Sequence, residues 1–240
     1  MQQGLGYFMN RKVLDVFMAV MLIAGVVCTM EFGLPKAAET TGTAVPKPAT
    51  VVIDPGHGGI DPGKVGVNGS LEKDVNLAIS FKLKECLTEK GYNVVMTRED
   101  GEGLYSETDV NKKAADMNRR CVIIEKSKAD LAVSIHQNSY PEPDVSGAQV
   151  FYYKHSVQGK KLAEILQEQL REKLDKDNRR MCKSNDNYYM LIHTPCPTVI
   201  VECGFLSCPA EETKLSDEAY QQMIAEALTA GIEEYLEAKN

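Results

Sequence analysis

Short apolar runs alternate along the chain with segments whose apolar residues recur every three or four positions. Five of the runs have the length and composition of strands, at residues 51–53, 92–97, 131–135, 148–153 and 198–201. The helical spacing predicts four helices, marked by residues 75–87, 110–124, 162–174 and 220–236. We expect Ser70 and Ser216 to cap the first and the last helix. This alternation predicts an α/β domain of three layers, in which helices flank a mostly parallel central sheet.

The N-terminal segment has the pattern of an export signal. Arg11 and Lys12 precede an unbroken apolar run of 13 residues, 16–28. Such a run is short for a membrane span, which needs about 20 residues, and it suits the core of a signal peptide. We expect residues 1–30 to be either a cleaved signal peptide or a retained membrane anchor. Residues 31–49 then form a linker, and residues 50–240 form one folded domain.

The composition is that of a globular protein, with 43% hydrophobic and 25% charged residues. The chain has 34 acidic and 27 basic side chains, which give a net charge of −7 at pH 7. This acidic balance argues against a nucleic-acid partner bound through its phosphates. Carbohydrate and peptide substrates are compatible with it.

Seven cysteines are present, and six of them follow the N-terminal apolar run. They are scattered over predicted helices and strands, and none forms a C-x-x-C pair. We therefore expect small buried residues rather than disulfides or a cysteine zinc site.

Chemically active side chains lie where three of the predicted strands end. His57 follows the first strand between two glycines, His136 follows the third, and Glu202 follows the last. Glu72 lies in the predicted first turn of the first helix. Because parallel strands bring their carboxyl ends to one edge of a sheet, these two imidazoles and two carboxylates are expected to share a small volume. Two histidines and one glutamate suit a catalytic zinc, and the other carboxylate suits a general base.

Other polar residues are weaker candidates for the metal site. We interpret His155 and His193 as surface or structural residues, because neither follows a strand into a glycine loop. Asn138 and Asp54 are candidates to fix the tautomers of the ligand histidines through hydrogen bonds.

Six stretches resemble, in order, the zinc-dependent N-acetylmuramoyl-L-alanine amidases, a class of cell-wall hydrolases. They are VVIDPGHGGIDPG, EKDVNLAISFKLKECL, VVMTRED, ADLAVSIHQNS, SGAQVFYY and VIVECGFLS, and the resemblance runs from about residue 51 to residue 235. It implies an α/β fold and one zinc ion per chain, with His57, Glu72 and His136 as the ligands. It also implies that Glu202 is the catalytic glutamate, which takes a proton from the attacking water and returns it to the leaving amine.

The resemblance also implies a substrate and a location. The substrate is peptidoglycan, cut at the amide between the lactyl group of N-acetylmuramic acid and L-alanine. The chain looks most like the sporulation members of the family, which prepare the spore cortex for lactam formation. We then expect an exported protein that acts in the cell wall or at the outer face of the membrane, in the forespore envelope for that subtype. An accessory activator protein is an expected kind of partner.

Three alternatives stay open at this level. Residues 58–64 fit the G-x-x-x-x-G-K pattern of a phosphate-binding loop, although Val65 replaces its Ser or Thr and Asp61 would repel phosphate. A zinc peptidase or carboxypeptidase would use the same ligands on another bond. A non-catalytic wall-binding module would use the same groove without chemistry.

Overall fold

The computed structural model describes residues 48–239. The export segment of residues 1–30 and nearly all of the linker of residues 31–49 lie outside the described residues. The first strand begins at Thr50, where the folded domain is expected to start. No helix within residues 48–239 is both long enough and apolar enough to cross a membrane.

Strands and helices alternate through most of the described chain. The strands are β1 (Thr50–Pro55), β2 (Asn93–Met96), β3 (Leu131–Asn138), β4 (Gln149–Tyr153), β5 (Lys183–Asn185) and β6 (Thr198–Phe205). The helices are α1 (Glu72–Glu89), α2 (Lys112–Lys126), α3 (Val157–Leu174), α4 (Tyr189–His193), α5 (Pro209–Leu215) and α6 (Glu218–Glu237).

The six strands found in residues 48–239 form one sheet in the order β2-β1-β3-β6-β4-β5. All neighbouring pairs are parallel except β4 and β6, which are antiparallel. The reversal at β4 follows from its connection, because residues 139–148 contain no helix and a parallel return requires a longer crossover. The predicted α/β class with a mostly parallel sheet is confirmed.

Helices cover both faces of the sheet. Apolar residues of α1, α3 and α6 pack on one face, in a core that includes Ile79, Leu166 and Leu228. On the other face, Cys121 and Ile124 of α2 and Met190 of α4 pack against β1 and β3. This arrangement confirms the three predicted layers, and it leaves the carboxyl ends of β1, β3 and β6 side by side.

Several boundaries differ from the predicted ones. The residue before α1 is Leu71 rather than Ser70, and its side chain makes no capping hydrogen bond. The cap of α6 is Asp217 rather than Ser216, and it accepts a hydrogen bond from the Tyr220 amide. Val110 lies before α2, because the Asn111 side chain caps that helix, and it is fully exposed. The short elements β5, α4 and α5 were not predicted, since three to seven residues carry too little periodicity.

The cysteines agree with the prediction in part, because Cys86, Cys182 and Cys196 are only partly buried. All six that lie in the described residues are free thiols, and Cys121, Cys203 and Cys208 are buried. Cys28 lies outside the described residues.

Candidate metal centre and active site

Three of the predicted site residues meet around one carboxylate oxygen. Glu72 Oε1 lies 2.9 Å from His136 Nδ1 and 3.2 Å from His57 Nε2. One ligand atom from each of the three residues lies within 4.8 Å of the other two. The residues come from distant parts of the chain: His57 follows β1, Glu72 begins α1, and His136 lies inside β3 rather than after it. The parallel β1–β3 pairing and the start of α1 beside them bring the three side chains together.

Backbone amides fix the carboxylate of Glu72. Its Oε1 accepts a hydrogen bond from the Gln137 amide at 3.1 Å, and its Oε2 accepts one from the Lys64 amide at 2.7 Å. The side chain is 2% exposed. Burial by itself would raise the pKa of Glu72, but the hydrogen bonds and charges of His136 and His57 hold it well below its usual range. The carboxylate therefore stays ionised between the two imidazoles.

Two buried arginines hold the loop that carries His57. Arg98 donates hydrogen bonds to the carbonyl oxygens of Pro55 and Gly56, and Arg120 donates to those of Pro55 and His57. His57 has a φ of 63°, a left-handed conformation that residues with a side chain adopt rarely. Such conformations persist where the surroundings enforce them, and they concentrate at functional sites. The paired arginines supply that enforcement here.

Asp61 sets the orientation of the His57 ring. Its Oδ2 lies 2.9 Å from His57 Nδ1, which leaves Nε2 facing Glu72. A carboxylate on the remote nitrogen of a ligand histidine is the usual second partner in metal sites. The sequence contained a signal for this role, since Asp61 lies four residues after His57 in the same glycine-rich loop.

The expectation that Asp54 and Asn138 fix the histidine tautomers is wrong. The side-chain oxygen of Asn138 accepts a hydrogen bond from the next amide in the chain, that of Ser139. The carboxylate of Asp54 accepts its hydrogen bonds from Thr97, Ser134 and Arg120. Asp54 is buried deep in the sheet, so its role is to neutralise Arg120 below the loop.

Two glycines make room for the cluster. A side chain at Gly56 would overlap the His136 ring, and one at Gly63 would overlap the carboxylate of Glu72. Gly63 also has a φ of 69°, which favours glycine. The loop backbone therefore approaches the site more closely than a residue with a Cβ would allow.

Glu202 faces the cluster from the neighbouring strand. It lies inside β6, not at its end, and it is the register partner of His136 in β3. The residue is buried, and its Oε2 has no hydrogen-bond partner in the described part of the chain. Burial raises the pKa of Glu202 to about 7, against the opposing charge of His136. A carboxylate with this pKa can both accept and release a proton near neutral pH.

The donor set and its charge suit a divalent cation. Two imidazole nitrogens and one carboxylate oxygen converge, which is a common set for catalytic zinc. Burial by itself would lower the pKa of His57, but hydrogen bonds and charge from Glu72 and Asp61 raise it. A site that favours positive charge on an imidazole also favours a cation between the ligands.

The other two histidines lie outside this cluster. His155 is exposed and packs edge-on against Tyr153, and His193 stacks on Tyr189. The phosphate-loop alternative also finds no support in the geometry, because Asp61 is paired with His57 and the next helix begins only at Glu72.

One lining residue of the site gave no sequence signal: Tyr188, whose pKa is raised by burial and by the nearby charge of Glu202.

The fold is that of a known class of cell-wall enzymes. The family described as N-acetylmuramoyl-L-alanine amidase matches residues 51–234. The chain therefore belongs to the N-acetylmuramoyl-L-alanine amidase family, whose members hydrolyse peptidoglycan.

Individual relatives agree with this assignment. The chain is 38% identical over 192 residues to the germination-specific N-acetylmuramoyl-L-alanine amidase of Bacillus subtilis, covering 79% of this chain and 80% of the relative. It resembles the CwlD amidase of Clostridioides difficile, solved in complex with the GerS lipoprotein, with 41% identity and a TM-score of 0.77. That match covers 79% of this chain and 99% of the solved one. A second amidase, from Clostridium difficile 630, matches with 32% identity and a TM-score of 0.72 over 81% of this chain and all of the other.

Proposed function

We propose that this protein is a zinc-dependent amidase that cleaves the bond between the lactyl group of N-acetylmuramic acid and L-alanine in peptidoglycan. His57, Glu72 and His136 are its zinc ligands, and Glu202 is its catalytic residue. The observation that carries the proposal is the contact of one Glu72 oxygen with both imidazoles, beside a buried Glu202 oxygen that has no other described partner.

Zinc bound by these ligands would polarise the lactyl carbonyl and lower the pKa of a water molecule towards about 7. Glu202 accepts a proton from the attacking water at its free Oε2. It then donates that proton to the nitrogen of L-alanine, which must be protonated to leave as an amine. The raised pKa of Glu202 favours both transfers, because such a carboxylate takes up a proton more readily than an ordinary glutamate.

The surrounding residues keep the site in one geometry. Asp61 holds the proton of His57 at Nδ1, so that Nε2 is free to bind a metal. The Lys64 and Gln137 amides hold the carboxylate of Glu72 in place. These contacts reduce the rearrangement needed to reach the transition state.

The biological setting follows from the relatives and from the N-terminal pattern. We propose that residues 50–240 are the catalytic domain, and that residues 1–30 export the chain or anchor it to the membrane. The enzyme then acts outside the cytoplasm on the cell wall. The germination-specific relative and the complex of CwlD with a lipoprotein support action on the spore cortex together with an accessory protein.

Digestion of defined muropeptides by the full-length protein tests this function. With one zinc per chain, the protein should release intact stem peptides and leave a free lactyl carboxylate, and a chelator should abolish the reaction. Cleavage inside the peptide would indicate a zinc peptidase instead. Binding without any cleavage, with zinc present, would indicate a wall-binding module.

A further inference from the structure

The start of α1, which carries Glu72, is held by a loop rather than by a side-chain cap. Leu71 precedes the helix, and a leucine side chain cannot accept the capping hydrogen bond. The Glu72 amide donates instead to the carbonyl oxygen of Lys64 at 2.9 Å, and the Lys64 amide donates to Glu72 Oε2. The position of Glu72 therefore depends on the 64–71 loop, whose ends pair as an antiparallel bridge between Val65 and Leu71.

A buried carboxylate of α5 binds the far end of the 64–71 loop. Glu212 Oε2 accepts a hydrogen bond from the Asn68 amide at 2.7 Å, and its Oε1 accepts one from the Ser70 amide at 3.1 Å. The residue is 1% exposed. Burial by itself would raise the pKa of Glu212, but these amide hydrogen bonds lower it. Glu212 is therefore an ionised acceptor for two amides of the loop.

Neutral contacts join the same segments. The Val67 amide donates to the carbonyl oxygen of Leu206 at 3.2 Å, and the hydroxyl oxygens of Ser70 and Ser216 lie 3.0 Å apart. Hydrogen bonds to a charged group are about twice as strong as neutral ones. Glu212 therefore contributes most to holding the loop against α5.

Gly66 allows the loop backbone to approach Glu212 this closely. A Cβ at Gly66 would overlap the Glu212 carboxylate. The φ of Gly66 is not positive, so the close contact rather than the backbone conformation favours glycine here. A methyl group at this position would push the carboxylate away from the two amides that it binds.

We infer that Glu212 is a positioning residue for Glu72: it fixes the 64–71 loop, and the loop fixes the carboxylate that binds zinc. The inference rests on the proposed function and adds to it a residue that contacts neither metal nor substrate. Without Glu212, the Asn68 and Ser70 amides lose their acceptor and the loop is free to move. The carboxylate of Glu72 must then be ordered when the metal binds, which costs affinity.

The zinc affinity of the full-length protein, measured by competition with a chelator, tests this role. Glu212→Ala should bind zinc about tenfold more weakly than the wild type, at the lower end of the range for residues that support a metal ligand. Leu215→Ala is the matched control, because it removes a fully buried side chain from the same helix and leaves the hydrogen bonds of Glu212 in place. This control should lower the free energy of unfolding and keep the wild-type zinc affinity.

Gly66→Ala disrupts the same contact from the other side and leaves the carboxylate in the chain. This variant should also bind zinc about tenfold more weakly. The double variant with Glu212→Ala should bind no more weakly than Glu212→Ala alone, because the new methyl group then meets no carboxylate. An additive loss, about 100-fold in the double variant, would contradict a shared contact.

Wild-type zinc affinity in Glu212→Ala, or an equal loss of affinity in Leu215→Ala, overturns the positioning role and leaves the amidase proposal standing. A wild-type protein that binds no zinc overturns the proposed function itself. If Glu212→Ala does not fold, the comparison of Gly66→Ala with Leu215→Ala tests the same role, and equal affinities in those two variants overturn it.

Discussion

His136 and Glu202 are register partners on the adjacent parallel strands β3 and β6. Side chains at paired positions of neighbouring strands lie on the same side of a sheet. The backbone hydrogen bonds of the sheet therefore fix the distance between a proposed zinc ligand and the proposed catalytic carboxylate. A site of this kind is positioned by rigid elements rather than by long loops.

Glu202→Gln separates proton transfer from metal binding. The amide keeps the size of the side chain but accepts no proton from water, so we expect turnover to fall by about 10²–10⁴. Zinc content should stay at the wild-type level, because Glu202 is not a proposed ligand. Metal analysis and muropeptide digestion check both points, with the exposed Glu168→Gln as a control that keeps full activity. Full activity in Glu202→Gln would remove this residue from the mechanism.

Gly56→Ala tests the close approach of the loop to His136. The added methyl group would overlap the imidazole ring, so the ring must move away from Glu72. We expect zinc affinity to fall by about 10–100-fold, as when a supporting contact of a metal ligand is lost. Gly101→Ala is the matched control, because a Cβ there meets no atom within 4 Å. Equal zinc affinity in the two variants, measured by competition with a chelator, would refute the steric argument.

Much of this site could be predicted from the sequence because its residues follow apolar strands. His136 and Glu202 come directly after such runs, His57 follows another within four residues, and parallel pairing then places them together. The assignment of Glu72 as a ligand depended on family resemblance, since an acidic residue in the first turn of a helix is common for other reasons.

The parts that could not be predicted depend on contacts between distant segments. Arg98 follows β2 and Arg120 lies in α2, and nothing in their local pattern shows that both bind the carbonyls of the His57 loop. Asp54 is a sequence candidate for a hydrogen bond to a ligand histidine, yet burial in the sheet directs it to Arg120. Tyr188 joins the site through the short segment before α4, which has no periodicity to recognise.

Arg120→Met should destabilise the protein strongly. The change leaves the buried carboxylate of Asp54 without its charged partner and frees the carbonyl oxygens of Pro55 and His57. Removal of one partner from a buried ion pair costs about 3–5 kcal/mol in the free energy of unfolding. The neighbouring Arg119→Met, which removes a partly exposed pair with Asp109, should change stability much less. Denaturant titration of both variants measures the two losses in the free energy of unfolding. Equal losses would show that the buried pair contributes no more to stability than the Arg119–Asp109 pair.

Asp54 should also make stability depend on pH in the acid range. Burial by itself would raise its pKa, but the charge of Arg120 and hydrogen bonds from Ser134, Thr97 and Arg120 lower it overall. A lowered pKa in the folded state contributes stability that is complete above the unfolded value of about 3.9 and is lost as the pH falls through the folded value. The free energy of unfolding should therefore decrease below about pH 4. Asp54→Asn should show a shallower decrease over the same range, and an unchanged slope would assign the effect to other carboxylates.

Zinc content tests the account most directly. The wild-type protein should hold one zinc per chain after dialysis, and His136→Ala should lose it while circular dichroism shows that the fold is retained. The loss follows because two of the three proposed ligands form an incomplete site. A folded His136→Ala protein that still holds one zinc per chain with wild-type affinity would contradict the account.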